Sequence, residues 1–472
     1  MFAILARYCL TTNLLVEDLD HWKTEDGHYY LFQYDGYTYY EHYLEGKHDN
    51  LMTESMFLMC YLFDCSTEGK TMGIISFLPL IFTSLTVILV WHLIERFVND
   101  RRVIFIMTLF FSVNFQFMMN SYYGHVDTNS LIHLLLSYIM LCVIILIERC
   151  GIKRYSSKNI MLMIFVIGSI WLLKYTWSGW FAIIVMIGVV MMTYYALNRR
   201  FKEFMLAFPL TVWFASKHMN LILSYLTKTR EWNISETRMT NFGIYWILII
   251  FLAGLSLYIL YMKRHDLKHV LLNIWCLGTI YAAIMGYRFT FYMVIPCSIL
   301  FAIFIENNRR YYTIVKNILP IYIVFVLFTA MTAFHLPAVD DDLYETSQFL
   351  KNGIESHKRI FSQWNYGVLY DSLSGKEAIY RSVQPYPDID KILAKAFLDI
   401  DEDMLYHLVP DDAVFVVSST DLTINQSVKI DDEFGLMKDS SIKKILDCRA
   451  DMFDCVYTKK GRFKNFTVAV KI

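Results

Sequence analysis

The stretch IISFLPLIFTSLTVILVWHLI, residues 74–94, contains no Asp, Glu, Lys or Arg. An α-helix of about 20 apolar residues is long enough to cross a hydrocarbon layer of about 30 Å. A soluble protein would distribute its apolar residues over amphipathic segments, in which polar residues recur on one face. The stretch therefore predicts a helix that spans a membrane.

Similar apolar runs recur over the first two thirds of the chain. Of the 472 residues, 56% are hydrophobic, and the mean hydropathy is +0.38. These values predict a polytopic α-helical membrane protein. The segment 203–227 contains Pro209 and Lys217, so two short helices are an alternative there. The predicted spans are at about 71–95, 103–119, 130–147, 159–173, 178–197, 203–227, 242–262, 269–285, 289–305 and 311–333.

The loops between the spans alternate in charge. Every second loop is rich in Lys and Arg, and the positive-inside rule places such loops in the cytoplasm. The intervening segments then face the opposite, external side. The basic loops are 96–102, 148–158, 198–202, 263–268 and 306–310, and the external segments are 17–70, 120–129, 174–177, 228–241, 286–288 and the chain after about 334.

Four charged residues in these external segments lie at or near predicted helix ends. Charged groups placed against a bilayer are costly and tend to be functional, although each one could also be a solvated loop charge. The four are Asp35 in LFQYDGYTYYEHY, Asp127 in YYGHVDTNS, Glu236 in TREWNISETRM and Arg288 in MGYRFTFYMVIP.

The chemistry of these side chains indicates a particular kind of ligand. Carboxylate oxygens suit Mg²⁺ or Mn²⁺, which retain waters or substrate phosphates as further ligands. An arginine can hold a phosphate or pyrophosphate through paired hydrogen bonds. A cation, a phosphate and a membrane face together favour a lipid-linked phosphate donor.

The last third of the chain, 334–472, differs in composition from the spans. It mixes β-like runs (AVFVVSS, FDCVYT and FTVAVKI) with helical stretches (YETSQFLKNGIESH and IDKILAKAFLDIDEDMLYHLV). This mixture predicts a small α/β domain, which follows the last span directly on the external side. Near its start stands QWNYG, residues 363–367.

QWNYG resembles the WWDYG motif of the catalytic subunit of oligosaccharyltransferase. That subunit is a single-chain enzyme in bacteria and archaea and part of a complex in eukaryotes. The other motifs of the family are similar to sequences found here in the same order. Asp35 stands in a DGYY-like context, Asp127 and Asn129 in a DxD-like motif, Glu236 in an SVSE-like motif and Arg288 in an RF context at a span start.

The resemblance implies a fold and a reaction. The fold is a multispan, GT-C type glycosyltransferase domain over 1–333, with external loops 17–70 and 228–241, followed by an extracytoplasmic domain over 334–472. The reaction transfers a preassembled oligosaccharide from a polyprenyl phosphate or pyrophosphate carrier to the asparagine of an Asn-X-Ser/Thr sequon in an acceptor polypeptide.

The resemblance also assigns roles to individual residues. Asp35 and Glu236 contact the acceptor amide, and Arg288 holds the leaving pyrophosphate. The ligands of an Mn²⁺ or Mg²⁺ ion are Asp35, Asp127, Glu236 and Asn129. The part of the C-terminal domain that binds the sequon's hydroxyl residue contains Trp364, Asn365 and Tyr366.

Several residues depart from the family pattern or compete for its roles. Gln363 and Asn365 replace the first tryptophan and the aspartate of WWDYG, and Asn129 replaces an acidic residue. An amide oxygen still accepts hydrogen bonds and binds a hard cation, but it brings no charge. Asp26, in EDGHYY, is the rival of Asp35, whereas His125 is expected to support the cation ligands rather than to be one of them.

Two other functions fit part of the pattern. One is a different membrane glycosyltransferase that uses a polyprenyl-phosphate sugar, and the other is a non-catalytic lipid-binding homologue. A net charge of −1 argues against nucleic-acid binding. The resemblance leaves open whether the chain works alone or with other oligosaccharyltransferase subunits. It implies the endoplasmic reticulum membrane with a lumenal site, or an archaeal or bacterial plasma membrane with an external site.

Two pairs of cysteines fall on the predicted external side. Cys60 is close in sequence to Cys65, and Cys448 is close to Cys455. Disulfides are possible for both pairs in an oxidising compartment.

Overall fold

The computed structural model describes most of the helical part of the chain and the sheet of its C-terminal part. All structural statements below refer to the described residues. These are 40, 43–44, 46–48, 50–65, 68–114, 117–118, 126, 128–150, 156–200, 202–205, 207–209, 211–213, 215–217, 246–285, 289–333, 341–355, 358–362, 370, 374–379, 402–418, 444–445, 447–460 and 465–471.

The first two thirds of the described chain are helical. Within the described residues, five helical stretches are long and apolar enough to cross a membrane: Gly73–Glu95, Thr128–Arg149, Ser157–Thr176, Leu267–Ile284 and Thr290–Asn307. The prediction of a polytopic helical membrane protein is confirmed. The helices are α1 (Leu51–Phe63), α2 (Glu68–Ile75), α3 (Leu78–Glu95), α4 (Arg101–Ser112), α5 (Thr128–Cys150), α6 (Ser157–Thr176), α7 (Phe181–Leu197), α8 (Trp246–Met262), α9 (Leu267–Met285), α10 (Thr290–Asn307) and α11 (Arg309–Ala333).

The helix boundaries differ from the predicted spans at one place in particular. The sequence predicts a single span over 103–119, but α4 ends at Ser112. Asn114 follows, and its side chain accepts a hydrogen bond from the backbone N–H of Phe117 at 3.4 Å. Such a bond from an asparagine to the local backbone competes with the helical pattern. The polar residue within the apolar run therefore coincides with a break in the helix.

The helices pack as neighbours into one bundle. Helix α5 packs against α3 and α6, whereas α9 packs against α7, α8 and α10, and α4 packs against α10. One hydrophobic cluster extends along α4, α9 and α10 and includes the end of α3. A second cluster includes residues of α1, α5, α6 and the C-terminal part of the chain. The bundle thus has a core that extends from one end to the other.

Three of the basic loops meet at one end of the bundle. Glu148, at the end of α5, binds Arg96 at 3.3 Å and Lys268 at 3.1 Å, both measured between nitrogen and carboxylate oxygen. The Lys268 ammonium also donates to the backbone carbonyl of Arg96 at 2.7 Å. These contacts join the loops at 96–102, 148–158 and 263–268.

The other two basic loops reach the same end. A carboxylate oxygen of Glu306, at the end of α10, accepts hydrogen bonds from the backbone N–H groups of Asn99 at 2.6 Å and Asp100 at 2.9 Å. The Asn198 amide, after α7, donates to the carbonyl of Arg264 at 3.0 Å. The loops that the sequence groups by charge are therefore grouped in space, and we call this the basic end.

The C-terminal part contains a mixed sheet with helices, as the sequence predicts. Within the described residues, four strands pair in the order β1-β2-β4-β3, with β1 and β2 parallel and the other neighbours antiparallel. Phe361, Phe415 and Ala469 are among the buried residues that form its core. The elements are α12 (Asp341–Gly353), β1 (Arg359–Ser362), α13 (Asp403–Leu408), β2 (Ala413–Ser418), β3 (Phe453–Lys460) and β4 (Asn465–Lys471).

Candidate functional site

Most of the predicted site residues lie outside the described part of the structure. Asn129 is described, and it lies in the first turn of α5 with 7% of its surface exposed. The structure therefore reports on the site through the residues that flank it. Outside the described residues lie Asp35, Asp127, Glu236, Arg288, Trp364, Asn365 and Tyr366, together with the alternatives Asp26 and His125.

The described neighbours of four motifs share one hydrophobic cluster. Tyr40 follows the DGYT motif, Val126 precedes Asp127, Phe291 follows the RF motif and Tyr370 follows QWNYG. All four are buried members of the same cluster. The chain on one side of each of these motifs thus contributes to one extended hydrophobic core. This core includes the start of α5, at the end of the bundle opposite the basic end, and extends along α5 as far as Cys142.

The beginning of α5 is a buried polar segment. Thr128, Asn129 and Ser130 all have less than 9% of their surface exposed. Asp127 directly precedes the first residue of this helix, a position at which aspartate commonly accepts hydrogen bonds from the free N–H groups of the first turn. A structural role as a helix cap is therefore a specific alternative to cation binding for Asp127.

His133 connects the start of α5 with the start of α10. It lies one turn after Asn129, and its side chain is buried. Its Nε2 is 3.1 Å from the backbone carbonyl oxygen of Phe291. Because a carbonyl can only accept, Nε2 carries the proton and donates it. The helix that follows Asp127 and the helix that follows Arg288 are held to each other by this bond.

Sequence reasoning did not single out His133. The spacing of Asn129 and His133 could have indicated it, because residues four positions apart in a helix lie on the same face. The ring also packs against Phe117 and Phe291, with centroids 5.4 and 4.8 Å away, and meets Tyr292 edge-on at 5.8 Å. His133 is thus enclosed by aromatic side chains.

The tryptophan-rich junction after α6 contributes to the same region. The sequence predicts an interfacial aromatic belt over 171–181. Trp171 is indeed largely exposed, whereas Trp177 packs on Tyr292 in the first turn of α10, with centroids 5.2 Å apart. Phe289 stacks on Tyr292 from the other direction at 6.3 Å. We call this end of the bundle the aromatic end.

The first external loop is attached to the aromatic end. The Tyr175 hydroxyl, in the last turn of α6, donates to the backbone carbonyl of His48. The His48 ring stacks on Phe57 of α1 at 4.6 Å, and its Nδ1 is 2.9 Å from a carboxylate oxygen of Glu54. Helix α1, which comes after Asp35 in the same loop, therefore lies against the end of α6.

The segment that contains QWNYG is anchored on both sides. It begins directly after β1, whose last residue, Ser362, is buried. On the other side, Tyr370 is buried, and its carbonyl accepts a hydrogen bond from the Ser374 hydroxyl at 2.6 Å. Ile360 of β1 exchanges backbone hydrogen bonds with the following chain, donating to the carbonyl of Glu377 and accepting from the N–H of Ile379, both at 2.9 Å. The motif is thus part of a connection that leaves and returns to β1.

The metal-binding prediction rests on the donor chemistry. Among the described residues, no group of three or more His, Cys, Asp and Glu side chains is arranged to hold a metal ion. The predicted ligands Asp35, Asp127 and Glu236 would supply carboxylate oxygens, and the buried Asn129 would supply an amide oxygen. Such an oxygen-only set fits Mg²⁺ or Mn²⁺ better than a soft metal.

The fold has close counterparts among solved structures. No family model matches the sequence, and no curated protein is similar enough to count as a match. The archaeal oligosaccharyltransferase AglB from Archaeoglobus fulgidus, in complex with an inhibitory peptide and a dolichol-phosphate, superposes with a TM-score of 0.67 and 12% identity. The match covers 88% of this chain and 68% of that chain.

Two further structures of the Archaeoglobus fulgidus enzyme match at 12% identity. A complex with Zn and sulfate gives a TM-score of 0.65 over 99% of this chain and 72% of that chain. A form tethered by a disulfide bond to an acceptor peptide containing the NVT sequon gives 0.63 over 100% and 70%. At this identity the likeness establishes the fold: a helical membrane part followed by a mixed sheet, as in these oligosaccharyltransferases.

Proposed function

We propose that this chain is an oligosaccharyltransferase, which moves a glycan from a polyprenyl phosphate or pyrophosphate carrier to the asparagine of Asn-X-Ser/Thr sequons. The observation that carries the proposal is that Tyr40, Val126, Phe291 and Tyr370 are all buried in one extended hydrophobic core, which includes the aromatic end. Each of these residues flanks a different motif of the family. The likeness to solved oligosaccharyltransferases adds support.

The proposed reaction requires activation of a poor nucleophile. The lone pair of an amide nitrogen is delocalised into the carbonyl group, so a side-chain amide does not attack a sugar unaided. Asp35 and Glu236 accept hydrogen bonds from the acceptor amide and weaken this delocalisation. Arg288 holds the departing pyrophosphate or phosphate through paired hydrogen bonds. Inversion at the sugar carbon then needs no covalent enzyme intermediate.

A divalent cation completes the proposed site. Asp35, Asp127, Glu236 and Asn129 would hold it, and when bound it stabilises negative charge on the leaving phosphate. One solved neighbour is a complex with Zn and sulfate, which is consistent with a divalent cation in this fold. We propose Mn²⁺ or Mg²⁺ here because the ligand atoms are all oxygens.

The acceptor and the donor bind to different parts of the proposed site. Trp364, Asn365 and Tyr366 contact the sequon's Ser or Thr, with the Asn365 carbonyl oxygen accepting the hydroxyl proton. The lipid carrier enters from the bilayer. Among the solved neighbours, one holds a dolichol-phosphate and another an acceptor peptide with an NVT sequon.

The proposed site faces away from the cytoplasm. The basic end contains all five Lys/Arg-rich loops, and the positive-inside rule assigns it to the cytoplasmic side. The aromatic end then faces the lumen of the endoplasmic reticulum or the exterior of an archaeal or bacterial plasma membrane. Sugar transfer would occur on that side, where the domain over 334–472 also lies, with or without other subunits.

A direct transfer assay tests the proposal. The purified chain is incubated with dolichyl-linked oligosaccharide, as monophosphate and as pyrophosphate, and a fluorescent Asn-X-Thr peptide, with and without Mn²⁺. We expect a glycopeptide that migrates more slowly on a gel. Asp35→Ala and Glu236→Ala should abolish it, whereas Asp26→Ala, the matched control in the same loop, should retain it. Equal transfer to Asn-X-Thr and Asn-X-Ala peptides would contradict sequon recognition and favour another polyprenyl-dependent glycosyltransferase.

Asn365 offers a second test that restores the family residue. A neutral acceptor of a hydrogen bond is weaker than a carboxylate by about 1 kcal/mol. Asn365→Asp should therefore tighten binding of an Asn-X-Thr peptide up to about tenfold. The dependence of the enzyme on the cation should be the same in Asn365→Asp as in the parent chain. If neither the parent chain nor Asn365→Asp binds the Asn-X-Thr peptide more tightly than the Asn-X-Ala peptide, the domain does not recognise sequons.

A further inference from the structure

Three pairs of cysteines are neighbours in this fold, and they lie in different surroundings. Cys276 and Cys297 face each other between α9 and α10, with sulfur atoms 3.6 Å apart, inside the spanning helices. The pair of Cys60 and Cys65 is at the end of α1, and the pair of Cys448 and Cys455 is on the C-terminal sheet. The last two pairs belong to the parts of the chain at the aromatic end.

The Cys448 and Cys455 pair is brought together by a single carbonyl group. The backbone N–H of Cys448 donates to the carbonyl oxygen of Ile445 at 3.0 Å. The Cys455 thiol donates to the same oxygen at 3.5 Å. The backbone of Cys448 and the side chain of Cys455 therefore meet at one carbonyl oxygen.

The backbone around this pair also favours a closed turn. Cys448 has φ of +53°, in the left-handed region that reverses the chain. Cys455 lies on β3 opposite Ala469, immediately before an irregularity in the pairing with β4. Burial and the neighbouring Cys448 thiol raise the pKa of Cys455 to about 12. Both thiols line one open cavity of about 600 Å³, together with Phe453 and Tyr457, so the pair is accessible from solution.

The Cys60 and Cys65 pair has a similar turn. Asp64 ends α1 with φ of +52°, and its N–H donates to the carbonyl of Cys60. The N–H of Cys65 donates to the same carbonyl at 3.3 Å. A left-handed residue after a helix with paired bonds to one carbonyl folds the chain back over the last turn. Burial and a hydrogen bond with the Cys65 thiol raise the pKa of Cys60 to about 12, so the turn brings the two side chains near each other.

We propose that Cys448–Cys455 and Cys60–Cys65 are disulfides in the mature protein, and that Cys276 and Cys297 remain thiols. In each oxidation, two thiols lose two protons and two electrons, and one S–S bond forms. The electrons reduce the disulfide of an extracytoplasmic dithiol oxidoreductase to its dithiol. On the sheet, the exposed Cys448 attacks that disulfide first, and Cys455 then displaces the oxidoreductase from the mixed disulfide.

The reason for the contrast is access. A pair inside the spanning helices cannot meet a soluble oxidoreductase, although its sulfur atoms are only 3.6 Å apart. The two outer pairs lie on the side that the loop charges assign to the extracytoplasmic compartment, where disulfides persist. The inference depends on this sidedness and not on the proposed glycosyl transfer.

Peptide mapping tests the proposal on the full chain. Membranes are treated with N-ethylmaleimide without reductant, and the protein is denatured and digested with trypsin. Cleavage after Lys444, Arg449 and Lys459 separates the two outer cysteines of the sheet, so a disulfide joins ILDCR to ADMFDCVYTK. Cys60 and Cys65 fall in one peptide, which should be lighter by two hydrogens than its dithiol. Cys276 and Cys297 should be recovered as thiols.

A labelling experiment provides an independent readout in the folded protein. A membrane-impermeant maleimide applied to the external side should not label Cys448 in the parent chain. In Cys455→Ser it should label Cys448 fully, because no partner thiol remains. The proposal would be overturned if the maleimide alkylated both Cys448 and Cys455 fully in the parent chain. It would also be overturned if the peptide map contained a linked Cys276–Cys297 peptide but no linked ILDCR peptide.

Discussion

The two ends of the helical bundle are held together by different chemistry. At the basic end, charged side chains join the helices: Glu148 bridges Arg96 and Lys268, and Glu306 binds backbone N–H groups. At the aromatic end, two junctions between helices use neutral groups: the bond from His133 to the Phe291 carbonyl and the packing of Trp177 on Tyr292.

This difference separates structural charges from those proposed for catalysis. Removal of a carboxylate at the basic end should lower the stability of the fold, because its cationic and N–H partners then lose their acceptor. At the aromatic end, the junctions made by His133 and Trp177 contain no carboxylate, so we expect the motif carboxylates there to matter mainly for activity. Substitutions at matched positions of the two ends can break or sharpen this comparison.

The largest expected contrast is between Asp127 and Asp100. Each precedes the first residue of a helix, and Asp100 caps α4 by accepting from the N–H of Arg102 at 2.9 Å. Asp100→Ala should therefore cost about 1 kcal/mol of stability. Asp127→Ala should instead lower the kcat/KM of transfer about 100-fold or more, because a group proposed to stabilise transition-state charge is lost.

Thermal unfolding and transfer kinetics of Asp127→Ala and Asp100→Ala decide the matter. We expect a loss of stability in Asp100→Ala and a loss of activity only in Asp127→Ala. If Asp127→Ala retained activity within about twofold of Asp100→Ala, Asp127 would be a helix cap alone.

The next contrast is between two buried histidines. His133 donates to the Phe291 carbonyl, whereas His269 at the basic end has its Nδ1 2.8 Å from Asp266. Loss of such a bond costs about 1–2 kcal/mol. His133→Phe should in addition raise the KM for the lipid donor about tenfold, because the start of α10, next to Arg288, loses its anchor.

His133→Gln keeps an N–H donor at a similar reach and should restore most of the donor affinity, which a purely structural defect would not explain. His269→Phe should leave both Michaelis constants within about twofold of the parent values. Equal kinetic defects in His133→Phe and His269→Phe would remove the distinction between the two ends.

Glu148 tests the charge network of the basic end. The Glu148→Gln change leaves Arg96 and Lys268 without their common carboxylate. All three side chains are partly exposed, so the loss should be only about 1 kcal/mol, and added salt should diminish it. Glu54→Gln, which removes the isolated pair with His48 at the aromatic end, should have a smaller effect. Unfolding temperatures at low and high salt measure the loss of stability in each variant. A larger loss in Glu54→Gln than in Glu148→Gln would contradict a stabilising role of the charge network.

The smallest expected effect concerns pH at Asp266. Burial acts to raise the pKa of this carboxyl, but the hydrogen bond from His269 and the nearby Lys268 charge lower it below its ordinary value of 3.8. A lowered pKa in the folded chain gives stability above pH 3.8 that is lost as the pH falls through the folded value. Because the side chain is 41% exposed, screening limits the gain to about 0.5 kcal/mol or less.

Asp266→Asn should therefore unfold at a slightly lower temperature than the parent at pH 7. The difference should shrink only as the pH falls through the lowered pKa of the folded chain, below 3.8, because Asp266 then becomes neutral as well. Unfolding followed by tryptophan fluorescence over a series of pH values from 7 downwards measures this, and a difference that did not change with pH would show that the carboxylate charge is not its cause.

The sequence predicts the membrane architecture well because its signals are local. Apolar length gives the spans that became α3, α5, α6, α9 and α10, and the Lys/Arg content of the loops predicts which of them meet at the basic end. The run over 103–119 is the exception. Its mean apolarity predicts one span, but the side chain of the polar Asn114 accepts a hydrogen bond from the backbone N–H of Phe117, and α4 ends before Asn114.

The candidate site is predicted by the order of its motifs. Asp35, Asp127, Glu236, Arg288 and the QWNYG segment were found by resemblance, and their roles stay predictions. The structure adds that the described flanks of four of these motifs share one cluster. Glu236 is the exception, since the chain around it lies outside the described residues.

By itself, then, the sequence determined which segments are spans, which loops lie together and which domain forms the C-terminal sheet, because each property depends on residues that are near each other along the chain. Only the tertiary structure decided that His133 holds the start of α10. Its partner Phe291 is 158 residues away, and one histidine in an apolar run does not indicate where its hydrogen bond will go. That pairing depends on how α5 and α10 pack, which is a property of the whole bundle.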